Sequence, residues 1–128
     1  MIIAVDFDGT IVQHDYPRIG KVMPFAFETL KKFKEKHGDE LILWTCREGK
    51  ELQEALDYCK QNGLVFDAVN ENLSSINIRP RKIFAHWYID DKANDEYINW
   101  KHLSLIRSLA EGRAVKLVAE TDEFQVLK

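Results

Sequence analysis

The chain opens on an apolar run. Met1 to Phe7 carries β-branched Ile2, Ile3 and Val5, the pattern of a strand buried on both faces. Polar loop chemistry follows from Gly9 to about Gly20, and Pro24 stands where a helix can begin. Ala26, Leu30 and Phe33 then recur at helical spacing up to Gly38, a residue suited to a helix C-terminus. Leu41–Trp44 is a second short apolar strand. Glu48–Asn62 predicts a second helix, with Leu52, Ala55, Leu56 and Cys59 as its apolar stripe and Gly63 at its end.

Val65–Val69 predicts a third strand, and the polar stretch Asn70–Arg81, which contains Pro80, reads as loop. Ile83–Ile89 is an aromatic-rich strand that ends on Asp90-Asp91. Asp95 to about Glu111 reads as helix through Ile98, His102, Leu105 and Leu109. Two β-like runs, VKLVA and FQVL, lie within Ala114–Lys128 and predict a hairpin or an added sheet edge. Strands alternating with helices in this way predict an α/β fold with a mainly parallel sheet. Such sheets place ligands at the carboxyl ends of their strands. Polar clusters fall at three of those ends: Asp6/Asp8, Thr45 and Asp90/Asp91.

Composition narrows the class. A chain of 128 residues, 45% hydrophobic and 30% charged, is expected to form one domain, 1–128, without disorder. Its apolar runs are too short for a membrane span, and MIIAVDFDG reads as a strand rather than a signal peptide. A net charge of -3 gives no nucleic-acid surface, despite the weak basic cluster of Arg79, Arg81 and Lys82. Cys46 and Cys59 show no metal-ligand spacing, and the four histidines no HxxxH pattern. Two reduced thiols in a cytoplasmic protein, with no zinc site, are expected.

The aspartates change the picture most. Side chains two apart on an extended chain share a face, so Asp6 and Asp8 can converge while Phe7 turns to the core. Gly9 allows a sharp bend just beyond them. Two carboxylates about 4 Å apart repel by about 4 kcal/mol at an effective dielectric of about 20. A cation or a shared proton is therefore expected, and Mg²⁺ suits an all-oxygen site that also takes a phosphate. Asp90, ending another strand, adds a second protein carboxylate to Asp6. Thr45, with the N–H groups opening the next helix, makes a phosphate oxygen site. Lys82, eight residues before Asp90, can neutralise both aspartate and phosphate.

Taken together these residues resemble the haloacid dehalogenase-like superfamily. D-F-D-G-T at Asp6–Thr10 is similar to its first motif, and L-I-L-W-T at Leu41–Thr45 to its second. Lys82 is similar to the third, and Y-I-D-D at Tyr88–Asp91 to the fourth. The short Lys-to-DD spacing resembles the 5′(3′)-deoxyribonucleotidase branch, and TCREGKEL with FDAVNENL resembles a group of small bacterial hydrolases. The resemblance spans Met1 to about Asp95. It implies a Rossmann-like three-layer sandwich and a Mg²⁺-dependent phosphatase. Asp6 would be the nucleophile and Asp8 the general acid/base. The metal would be held by the Asp6 carboxylate, the Asp8 backbone carbonyl and Asp90, with Asp91 and Gly9 in support. Thr45 and Lys82 would hold the phosphoryl oxygens.

Members with caps insert a domain after the first motif or between the second and third. Here 34 residues separate Thr10 from Thr45, and 36 separate Thr45 from Lys82, which leaves room for no cap. An open site implies a bulky phosphorylated substrate or a partner subunit, as in a homo-oligomer, that covers it. Phosphotransfer through the same aspartyl-phosphate is one alternative. A receiver-like phosphoacceptor is another, though its acidic pair and lysine would fall in a different order.

Several residues stand near the site without assigned chemistry. Arg47 either reaches a substrate anion, which makes it a phosphate-binding candidate, or stands as a surface arginine. His14, Asp15, Tyr16 and Arg18 lie in the loop after the first motif and form a candidate flap. Arg79 and Arg81 are expected in water. Trp44, Trp87 and Trp100 are expected in core or interface, and Asn70, Glu71 and Asn72 either line the pocket or make turns.

Overall fold

The computed structural model describes residues 1–78, 81–93 and 97–111, and the backbone of Val115–Val118 and Glu123–Val126. Four parallel strands, β1 (Ile2–Val5), β2 (Glu40–Leu43), β3 (Ala68–Val69) and β4 (Trp87–Ile89), form one sheet in the order β3-β2-β1-β4. Three helices accompany it: α1 (Ala26–His37), α2 (Gly49–Gln61) and α3 (Trp100–Ala110). Val115–Val118 (β5) and Glu123–Val126 (β6) pair antiparallel as a separate two-stranded sheet beside α3, so this segment does not extend the main sheet. The fold is α/β and Rossmann-like.

Alternation along β1 divides the core. Ile3 and Val5 face a cluster built with Leu30 and Phe33 of α1, Ala55 and Cys59 of α2, and Trp100 of α3. Ile2 and Ala4 face the other way, onto Ile42, Leu73 and Ile83. The three described helices therefore cover one face, and the described residues 70–78 and 81–86 supply the third layer through Leu73, Ile76, Ile83 and Ala85. Right-handed crossovers explain this division. The chain steps from β1 to β2 to β3 in one direction, then returns past both to β4, so the return crosses the opposite face. β1 is where the direction reverses, and ligand crevices form at that switch point.

Two strands are shorter than their apolar patterns, for the same reason. At the start of β4 the N–H of Ile2 donates to the His86 ring Nδ1, 2.8 Å away, instead of to a strand carbonyl. Beside β3 the N–H of Leu41 donates to the Asp67 carboxylate at 2.7 Å. A side chain takes a ladder donor in each case, and Ile83–His86 and Val65–Asp67 lie outside the strands.

Helix α3 also differs from its predicted form. It begins at Trp100, capped by the Asn99 side chain, which accepts from the His102 N–H. Asp95, its expected start, lies outside the described residues. The inward face carries Trp100, Ser104, Arg107 and Ser108, whereas His102 and Leu109 are exposed. Polar anchors accompany this rotation: the Trp100 indole N–H donates to the Thr10 carbonyl at 2.9 Å, and Arg107 grips Asp39 through two 2.7 Å bonds. The Met1 amino group also donates to Asp39. Burial alone would raise the Asp39 carboxyl, but Arg107 and the amino group hold it below the usual carboxylate range. Among the described residues no helix is long and apolar enough to cross a membrane.

Removing Arg107 takes both guanidinium bonds from the buried Asp39 carboxylate and leaves it the Met1 amino group alone. Arg107→Ala is expected to lower stability by about 3–5 kcal/mol. Urea denaturation should show this as a lower midpoint with unchanged slope, and a loss below about 1 kcal/mol would contradict it.

Candidate active site

The carboxyl ends of β1 and β4 open into a cavity of about 700 Å³. Asp6, Asp8, Thr45, Asp90 and Asp91 all line it, together with His14, Tyr16, Trp44, Arg47, Asn70 and Lys92. One carboxylate oxygen each from Asp6, Asp90 and Asp91 lies within 4.8 Å of the others. Asp6 is fixed by main-chain pairing across the switch point, its N–H donating to the Ile89 carbonyl at 3.0 Å.

Three neighbouring negative charges need compensation, and the structure provides it unevenly. Burial, reinforced by Asp90, Asp91 and Asp8, pushes Asp6 up from 3.8 to about 7, against a hydrogen bond from the Phe7 N–H. Burial also opposes ionisation of Asp91, but the hydrogen bond and charge of His14 bring it below its ordinary value. His14 Nε2 stands 2.9 Å from Asp91 Oδ2, and the Asp91 N–H donates to the Thr10 hydroxyl at 3.1 Å. Gly9 is required beneath this contact. Its φ is +82°, and a Cβ there would lie 2.2 Å from His14 Nε2 and 2.7 Å from Asp91 Oδ2.

This donor set fits a hard divalent cation. It is all oxygen, it converges, and its half-buried member Asp6 is hard to ionise without added positive charge. The carboxylate of Asp8 is not part of it. Both Asp8 oxygens are instead held by Arg47, from Nε at 2.7 Å and from Nη2 at 2.8 Å.

Arg47 departs furthest from expectation. It is 1% exposed, so it is not a surface arginine. Its guanidinium carbon lies over the rings of both Phe7 and Tyr16, 5.1 and 5.2 Å from their centroids. Beyond the two bonds to Asp8, Nη1 donates to the Pro17 and Glu51 carbonyls and Nη2 to the Arg18 carbonyl. All five donors are occupied by protein, so none is directed at a substrate anion.

Lys82 is also displaced from its expected place. It is exposed, its Nζ lies 5.9 Å from the Tyr88 ring centroid, and it does not line the cavity. The segment preceding β4 runs over the far face, where Ile83 enters the second core cluster, and Lys82 goes with it. Lys92, just beyond the aspartate pair, lines the cavity instead. Its N–H donates to Asp90 Oδ1 at 2.9 Å, a local turn that an aspartate after a strand commonly makes.

Thr45 is where the pattern put it. Its hydroxyl accepts from the Arg47 N–H at 3.1 Å, and its own N–H donates to the Asn70 side chain at 2.8 Å. Asn70 is thus a cavity residue that orients Thr45, in the left-handed region at φ +54°. Asn72 makes no local turn: its side-chain Oδ1 accepts from the Phe84 N–H, twelve residues on, and it borders a second cavity with Glu71. In the flap, His14 and Tyr16 reach the cavity, while Asp15 and Arg18 pair with each other in solvent. Arg81 is exposed and borders a separate cavity, and Arg79 lies outside the described residues. Trp100 is core, Trp87 packs against the first cluster, and Trp44 lines the cavity beside Asp6 and Asp8.

The chain is similar to a solved structure of a conserved protein coded by a locus of Bacteroides thetaiotaomicron. The two are 42% identical, the match covers 89% of this chain and 93% of that one, and the TM-score is 0.77. The two proteins belong to one family. No protein-family model and no curated protein matches the chain.

The Asp6 shift has a measurable consequence. Its folded value of about 7 exceeds the ordinary 3.8, so the metal-free fold holds that proton more tightly than the unfolded chain does. The Asp6 contribution therefore weakens the fold as pH rises from about 4 to about 7. Millimolar Mg²⁺ should raise Tm more at pH 7.5 than at pH 5.5, where protons compete for the same oxygen. In Asp6→Asn that pH-dependent gain should vanish. An equal Mg²⁺ effect at both pH values would count against the site.

Proposed function

We propose that this protein is a Mg²⁺-dependent phosphomonoester hydrolase of the haloacid dehalogenase-like kind, with Asp6 as nucleophile. The convergence of Asp6, Asp90 and Asp91 at the switch point, beside Asp8 and Thr45, carries this reading. Asp6, Asp90 and Asp91 would hold Mg²⁺, which supplies positive charge to the carboxylates and to a phosphoryl group.

In the first step an Asp6 oxygen attacks phosphorus, the ester P–O bond breaks, and the leaving oxygen takes a proton from Asp8. An aspartyl-phosphate remains. In the second step water attacks that phosphorus, gives a proton to Asp8, and returns Asp6 as a free carboxylate. Thr45 is set to donate its hydroxyl to a phosphoryl oxygen, since that hydroxyl already accepts from Arg47 N–H. Lys92 takes the charge-neutralising role that sequence spacing gave to Lys82, a reading supported by its place on the cavity wall.

Hydrolysis is favoured over phosphotransfer because the rim is open to solvent: Tyr16 is 61% exposed and Cys46 is also exposed. No inserted domain stands over the cavity among the described residues. The substrate is a phosphomonoester whose leaving group can extend past that rim, and a second copy of the chain is an alternative cover. A cytoplasmic setting goes with this reading, supported by two free thiols, Cys46 and Cys59.

Phosphate release from p-nitrophenyl phosphate should require Mg²⁺, and Asp6→Asn should lower it by at least about 10³-fold. Wild-type protein without metal-dependent release, or a variant as active as wild type, would overturn the proposal.

A further inference from the structure

Asp8 does not stand in the cavity on its own. It follows β1 by three residues, its backbone bridged to Val12 alone, where a lone carboxylate would sample several rotamers. Arg47 removes that freedom with a two-point grip. Nε and Nη2 meet Oδ2 and Oδ1 at 2.7 and 2.8 Å, a planar fork that fixes both position and tilt of the carboxylate. A bidentate guanidinium uses one lone pair on each oxygen, so a second lone pair on each remains for a proton.

The grip is itself immobilised. The remaining three donors of Arg47 end on the main-chain carbonyls of Pro17, Arg18 and Glu51, drawn from the flap and from the first turn of α2. The guanidinium also lies over the rings of Phe7 and Tyr16. A cation so thoroughly satisfied has no donor left for substrate, yet it lines the reacting cavity and ends on one of the reacting groups.

We infer that Arg47 is a positioning residue for proton transfer: it holds the Asp8 carboxylate at the angle from which Asp8 protonates the leaving oxygen. The inference rests on the phosphatase reading above. The flap is part of the same device. Because its backbone carbonyls hold Arg47, displacement of residues 17–18 would loosen Asp8 without touching it.

Leaving-group dependence tests this role, since a merely structural residue would not alter it. Phenyl and p-nitrophenyl phosphate differ little in shape, but phenolate departs poorly without a proton and p-nitrophenolate departs well. General acid catalysis contributes about 10²–10⁴-fold where protonation is needed. In Arg47→Lys and Arg47→Met, the kcat/KM ratio of p-nitrophenyl over phenyl phosphate should therefore rise at least about tenfold. Lysine retains the charge but loses the fork, so it should not restore the ratio. In an Asp8→Asn background, either Arg47 change should leave the ratio where Asp8→Asn alone sets it.

Melting curves are recorded first. Variants that are both unfolded at the assay temperature would overturn the positioning role in favour of a structural one. Equal losses on both substrates, a gain in activity on losing the grip, or a further change in the Asp8→Asn background would also overturn it. Those results leave the phosphatase reading standing. Wild type inert on both substrates with Mg²⁺ would overturn the reading and the inference together.

Discussion

Crowding of like charge at one end of a sheet is the constraint around which this molecule is organised. Asp6, Asp90 and Asp91 bring oxygens within 4.8 Å of one another, and Asp8 stands two residues from the first. Uncompensated, such a group would protonate or push apart. Each member is treated differently. Asp8 is gripped by a guanidinium, and Asp91 is supported by Thr10 and His14. Asp6 remains in a setting that opposes its ionisation. The fold holds together a charge arrangement that an added cation would complete.

Topology is what makes the crowding possible. Strand order β3-β2-β1-β4 puts the chain reversal at β1, so the ends of β1 and β4 stand side by side with their connections leaving on opposite faces. The same reversal puts Leu73, Ile76 and Ile83 on the far face and carries Lys82 away from the cavity. Buried charge appears once more on the helical side, where Arg107 and Asp39 dock α3 near the start of β2. Paired ions thus hold both the acidic bend and the last described helix.

Much of this was legible along the chain. The strand–helix alternation, the mainly parallel sheet and the position of Asp6, Thr45, Asp90 and Asp91 at strand ends follow from local pattern, because period and end-capping are local properties. Strand limits were not legible. His86 and Asp67 end their ladders by accepting N–H groups from residues 84 and 26 positions away, which no window around them contains. The buried face of α3 escaped for a similar reason: an apolar stripe through His102 and Leu109 lost to Trp100 and Arg107, whose partners Thr10 and Asp39 lie far earlier.

The sequence by itself determined which chemistry was available: two aspartates that can share a face, a second acidic pair closing another strand, and a glycine where the chain must bend. Only the tertiary structure decided which cation meets which carboxylate. Arg47 and Lys82 look alike in one dimension, each a polar residue near a motif. One proves to be a buried clamp on Asp8, the other an exposed lysine outside the cavity. Electrostatic partnership depends on distance in space, and the crossover that sets those distances is a property of the whole sheet.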